Sequence, residues 1–141
     1  MGIITAERYH DISCGHRVSG HESKCKYLHG HNYRIHFVVA APELDSIGRV
    51  MDFSVIKSKL CMWLEDNYDH KFLIWENDPL LPDLLCIVED SLVITEFNPT
   101  AENIAEHLVK VIAPIQLNDS GCVLIECRVE ETRKCLATYK L

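Results

Sequence analysis

The run from Asn32 to Ala41 permits few conformations: Tyr33, Ile35, Phe37 and Val39 stand two apart, Val38 adds another β-branched residue, and Pro42 ends the stretch. Apolar spacing of two with β-branched and aromatic side chains belongs to a strand, and Pro lacks the N–H that would carry a ladder further. Ile3 to Val18 reads as a second extended run with few helix formers. Between the two, the Gly/His/Ser/Lys stretch Ser19 to Lys26 supplies a loop, so the N-terminal part of the chain predicts a long antiparallel hairpin.

After Gly48 the period changes. Phe53, Ile56, Leu60, Trp63 and Leu64 fall at helical spacing within Asp52 to Asn67, which predicts an amphipathic helix. Ile74 to Asn98 contains Pro79 and Pro82 and mixes apolar with acidic residues, supporting a short helix around Leu80 to Val88 and a short strand at Leu92 to Thr95. Pro99-Thr100-Ala101-Glu102 opens a second main helix, with Ile104, Leu108, Val111 and Ile112 in step up to Pro114. Gly121 to Val129 and Cys135 to Leu141 predict two further strands. The order is β-β-α-(insert)-α-β-β, without a repeat, in one domain of 141 residues.

The charge balance limits the partners. Fourteen Lys+Arg against twenty-one Asp+Glu give 14 − 21 = −7, which argues against general affinity for nucleic acid or an anionic membrane, so an anionic ligand needs a local basic pocket. Arg17, Lys24, Lys26 and Lys71 are the candidates. Seven cysteines, an odd number without a C-x-x-C pair or a secretory segment ahead of them, read as free thiols in a reducing cytoplasm.

His29-Gly30-His31 carries the densest chemistry. On a strand, residues two apart share a face, so both imidazoles can meet one metal, and an antiparallel neighbour can bring His16 across to them. Three neutral imidazoles leave a zinc coordination position open, the catalytic arrangement. Cys25, four residues before His29, offers the alternative of a closed and purely structural shell.

Cys25-Lys26-Tyr27-Leu28-His29-Gly30-His31-Asn32-Tyr33, preceded by Gly15-His16-Arg17, resembles the signature of the 6-pyruvoyl-tetrahydropterin synthase family, and within it the bacterial 6-carboxy-tetrahydropterin synthases. Gly48-Arg49-Val50-Met51-Asp52-Phe53, Asp69-His70-Lys71-Phe72-Leu73, Pro99-Thr100-Ala101-Glu102-Asn103 and Glu131-Thr132 follow in the family's order, so the resemblance covers almost the whole chain. Gly15 stands where the family more often has Ala or Ser, and the 29 residues between His70 and Thr100 exceed the gap in compact members.

The resemblance implies an α+β tunnelling fold: a four-stranded antiparallel sheet, β-β-α-α-β-β, with two helices on one face, closing into a barrel in homo-trimers or stacked homo-hexamers. It implies Zn2+ held by His16, His29 and His31, with Cys25 as the proton-abstracting thiol and Asp69 with His70 as its activating pair. Glu131, whose register against Glu130 is set by Thr132, would anchor the pterin, with Thr100 and Glu102 at a helix start near the pocket. The implied reaction converts 7,8-dihydroneopterin triphosphate to 6-carboxytetrahydropterin, acetaldehyde and triphosphate in 7-deazaguanine (queuosine) biosynthesis. Its sister, 6-pyruvoyl-tetrahydropterin synthesis, and a non-catalytic zinc or pterin-binding module are the competing functions.

Overall fold

The structure, a computed structural model, describes residues 2–141. The expected hairpin is present: β1 (Thr5–His16) and β2 (His29–Ala40) pair antiparallel without interruption, from Thr5 opposite Ala40 to His16 opposite His29. Ile12 and Cys14 from β1 and Tyr33, Ile35, Phe37 and Val39 from β2 are buried on one face, as the period of two requires.

Residues 53–67 form one helix, α1, made of Phe53–Ile56, a π turn at Lys57–Cys61 and Met62–Asn67. Asp52 caps it, its carboxylate accepting the Ser54 N–H at 2.8 Å, and Ile56, Leu60 and Leu64 are buried against the sheet. The chain then forms β3 (Phe72–Trp75), α2 (Leu81–Val88) and β4 (Leu92–Thr95). The second main helix, α3, joins Ala101–His107, a π turn at Leu108–Ile112 and Ala113–Gln116. It runs past Pro114, where the sequence predicts an end. The wide turn just before it lets the Ala113 N–H reach back to the Leu108 carbonyl, so the helix absorbs a residue that brings no donor of its own. Two strands, β5 (Val123–Glu130) and β6 (Leu136–Lys140), complete the fold.

The four-stranded antiparallel sheet with two helices is corrected by the structure. The described residues form a mixed six-stranded sheet in the order β4-β3-β1-β2-β5-β6, with three helices. The insert supplies the difference, because β3 pairs parallel with β1 at Gly15 and His16, β4 pairs parallel with β3, and α2 connects those two strands. Phe72–Trp75 escapes a periodicity reading because Leu73 and Ile74 are both fully buried, so no polar residue alternates with them.

The helices cover the face carrying Ile12, Tyr33 and Leu124, while the opposite face of β1, β2 and β5 is charged. There Arg34 meets Asp11 at 2.8 Å and Arg128 meets Glu7 at 2.6 Å. Among the described residues β3 covers only the last two positions of β1 and the turn before it covers Ser13, leaving 5–12 as an open edge, and β6 is open on the other side. No described helix is long and apolar enough to cross a membrane.

Candidate metal centre and active-site cleft

The hairpin register assembles the histidines. His16 and His29 are direct cross-strand partners and His31 lies opposite Cys14, so all three imidazoles extend from the same face as the core, just beyond its end. Their ring centroids lie 4.6–5.1 Å apart. His16 is 1% exposed, and its Nδ1 donates to the Pro99 carbonyl at 2.6 Å where α3 begins. The Nδ1 of His29 donates to the Tyr27 carbonyl at 2.7 Å. Both hydrogen bonds leave the lone pair on Nε2, and the two Nε2 atoms face each other at 3.0 Å. Two lone pairs at that distance repel unless a cation lies between them.

His31 adds a third aimed nitrogen. Its Nε2 is shielded from solvent and without a hydrogen-bond partner, although Glu131 Oε1 lies 3.0 Å away, so that approach is close but not aligned. Burial pushes the His31 imidazole below its ordinary pKa, against the pull of Glu131, which favours the neutral ring that metals bind. An orphaned buried nitrogen beside two converging lone pairs fits a divalent metal with imidazole ligands. Ligand atoms of His16, His29, His31 and Glu131 all lie within 4.8 Å of one another. Cys25 is outside this group, and the geometry does not form the closed shell with a Cys25 ligand.

Glu131, just beyond β5, also places Oε1 3.1 Å from His16 Nε2. Glu130 points to the opposite face, 3.5 Å from His36, so of the two only Glu131 reaches His16 and His31. Sequence reasoning assigned Glu131 to the substrate without foreseeing that it would touch the ligand cluster.

A cleft of about 920 Å³ opens beside His31 and Glu131 and is lined also by Ser13, Asp69, His70, Arg34 and Arg133. Asp69 and His70 sit in the turn between α1 and β3. His70 has a left-handed backbone, φ 60°, and a side chain 81% exposed. Ser13 on β1 fixes this turn from two sides: its N–H donates to Asp69 Oδ1 at 2.9 Å, and its carbonyl accepts the His70 N–H at 2.7 Å. His70 Nδ1 meets Asp69 Oδ2 at 2.8 Å. Burial works against the Asp69 charge, but the Ser13 N–H and His70 prevail and keep its pKa low. An oriented imidazole backed by a carboxylate is a proton-transfer unit.

Cys25 lies elsewhere. It occupies a single helical turn, Lys24–Lys26, in the loop from β1 to β2, is half-buried, and is not among the residues lining the cleft with Asp69 and His70. Thr100 caps α3, accepting the Asn103 N–H at 3.1 Å, and exposed Glu102 is in the first turn; neither lines the cleft. Of the basic candidates, Lys71 lines a shallow depression with His70, Lys24 is exposed, and Arg17 is engaged with Asp78 at 2.8 Å. Arg34 and Arg133, the cations that do line the cleft, carried no sequence signal.

Comparison with known proteins matches residues 5–141 to the family described as 6-pyruvoyl tetrahydropterin synthase. A Rickettsia typhi protein named 6-carboxy-5,6,7,8-tetrahydropterin synthase is 34% identical over 134 residues, spanning 94% of this chain and 97% of its own. An Aquifex aeolicus protein of that name is 32% identical over 126 residues, spanning 84% of this chain and 76% of its own. Among solved structures, an uncharacterised Wolinella succinogenes protein shares the fold with a TM-score of 0.87 over 99% of both chains at 24% identity. The Caenorhabditis elegans 6-pyruvoyl tetrahydropterin synthase gives 0.68 over 100% of this chain and 97% of its own at 27% identity.

Proposed function

Because the chain belongs to the 6-pyruvoyl tetrahydropterin synthase family, we propose that it is a lyase of the 6-carboxy-5,6,7,8-tetrahydropterin type. Its substrate is then 7,8-dihydroneopterin triphosphate, and its products are 6-carboxytetrahydropterin, acetaldehyde and triphosphate, an early step toward 7-deazaguanines such as queuosine in the cytoplasm. The observation that carries this reading is the convergence of three imidazole nitrogens beside a carboxylate at the mouth of a cleft, in a chain similar over nearly its full length to enzymes so named.

In this reading His16, His29 and His31 hold Zn2+, and the Pro99 and Tyr27 carbonyls fix the tautomers of His16 and His29. When bound, zinc supplies Lewis-acid polarisation of the substrate's side-chain hydroxyls. Glu131 accepts hydrogen bonds from the amino and ring N–H edge of the pterin. Cys25 takes the proton from the carbon beside the substrate hydroxyl, and His70, oriented by Asp69, activates that thiol. Arg133 and Lys71 are the cations placed to meet the triphosphate, Arg34 being paired with Asp11.

One tunnelling-fold domain supplies only part of this machinery in a single copy, since Cys25 and the Asp69–His70 pair do not share a cleft. The open edges of β1 and β6 suit pairing between copies, and closing a barrel removes both, so we propose a homo-trimer or homo-hexamer with sites shared between subunits. Incubating the purified protein with dihydroneopterin triphosphate and identifying products by mass spectrometry tests the function. Equal amounts of 6-carboxytetrahydropterin and acetaldehyde are expected. A 6-pyruvoyl product overturns the assignment in favour of the sister reaction, and absence of turnover with zinc bound leaves a non-catalytic binding module.

A further inference from the structure

None of residues 17–28, the loop carrying Cys25, is buried, so no apolar side chain anchors it. Polar ties hold it instead. The Val18 N–H donates to the Cys25 carbonyl at 2.8 Å, and Asn98 grips Ser19 twice, accepting its N–H at 3.1 Å and donating to its carbonyl at 2.9 Å. The charged tie is Arg17. Its Nε donates to both carboxylate oxygens of Asp78, at 3.0 and 2.8 Å, while another arm of the guanidinium donates to the Lys26 carbonyl, one residue from Cys25.

Asp78 is a firm base for this bridge. Its side chain is fully buried and its Oδ1 also accepts the Leu80 N–H at 2.9 Å, which fixes the carboxylate on the segment that follows β3. A planar guanidinium can hold a carboxylate with one edge and a carbonyl with another, and a single ammonium cannot reproduce that fork. The bridge thus connects the Cys25 turn to the same parallel pair, β1 with β3, that carries His16 at the metal cluster.

We propose that the Arg17–Asp78 pair is a positioning device that sets the Cys25 thiol relative to the metal cluster, with Arg17 acting through the Lys26 carbonyl and not on the triphosphate. The inference rests on the reading of Cys25 as the proton-abstracting thiol. A misplaced proton-transfer group slows the chemical step and leaves substrate binding largely intact.

The test compares Arg17→Lys, Asp78→Asn and the parent protein by zinc content, melting temperature, kcat and KM for dihydroneopterin triphosphate, and the rate of Cys25 alkylation by iodoacetamide. Alkylation is resolved by peptide mass spectrometry, with exposed Cys86 and buried Cys14 as internal references. Arg17→Lys is expected to keep its zinc, to lose about tenfold in kcat with KM changed by less than about twofold, and to alkylate Cys25 several times faster relative to Cys86. Asp78→Asn should move both readouts in the same direction, and it decides the matter if Arg17→Lys does not fold. A folded variant with unchanged Cys25 alkylation and kcat overturns the proposal, as does labelling of Cys14 alongside Cys25, which marks general loosening, or a rise in KM alone, which marks a substrate contact. Normal turnover by Cys25→Ala would instead sink the catalytic reading of that thiol, and the alkylation shift would still report the positioning.

Discussion

Replacing Gly15 by Ala probes the crossing on which the histidine cluster depends. An added Cβ would lie 2.5 Å from Phe72 Cδ2, 3.1 Å from its Cε2 and 3.2 Å from the His29 carbonyl oxygen. Carbon contacts are favourable at about 3.5–4.0 Å, so the Phe72 ring must retreat by about 1 Å, while the carbonyl is held in the β1–β2 ladder. Overpacking of this kind costs about 1–3 kcal/mol. Exchanging Gly for Ala inside a strand returns about 0.5–1 kcal/mol through the unfolded chain, so the steric cost prevails. At the middle of these ranges the net loss is about 1 kcal/mol, which for a domain of this size lowers the melting temperature by about 3–4 °C. Thermal melts of Gly15→Ala, Phe72→Leu and the double variant form a cycle in which the double should be more stable than the sum of the singles by about 1 kcal/mol. Competition with a chelator should show weaker zinc retention in Gly15→Ala, recovered in the double variant. A Gly15→Ala protein that melts at or above the parent, or strict additivity in the cycle, would refute the reasoning.

Metal analysis should find one zinc per chain, lost in His29→Ala and in His31→Ala and kept in Cys25→Ala; full zinc in both histidine variants would remove the proposed site. Cys25→Ala should depress turnover about a hundredfold while calorimetry still detects substrate binding. Glu131→Ala should weaken that binding by about 1–3 kcal/mol, and the opposite pattern would mean that the two roles are reversed. Mixing inactive Cys25→Ala with inactive His70→Ala subunits should restore part of the activity once exchange has occurred, and exchange without recovery would place the site within one chain.

The hairpin, both main helices and the last two strands were legible because each buries one face and leaves the other polar, which is what periodicity records. β3 was not, since Leu73 and Ile74 are buried on both sides of a parallel pair and show no alternation. The extension of α3 past Pro114 depends on a π turn, which no local pattern announces. At the site, strand geometry let His29 and His31 converge and an antiparallel crossing let His16 join them, but it was the resemblance of the surrounding motifs that singled these three out. Arg17 shows where such reading stops. A cation beside a motif suggests an anion, but its partner is Asp78, 61 residues away, brought in by a segment whose topology the sequence left open. Glu131 was assigned by its Thr132 neighbour, whereas its approach to His16 and His31 follows only from where β5 ends.

The continuous pairing of β1 with β2 puts His16, His29 and His31 in line with Ile12, Tyr33 and Ile35. A slip of one residue would turn the apolar set outward and scatter the imidazoles in the same movement. The free energy that drives hydrophobic burial therefore also gathers the donors, and the entropy of bringing them together is spent before any ion arrives. Small zinc domains that are unfolded without metal work the other way round, with the ion organising the chain. Here the imidazole cluster comes with the sheet itself, so a descendant that abandoned a metal-dependent activity would still carry that nest of histidines for as long as it kept its core.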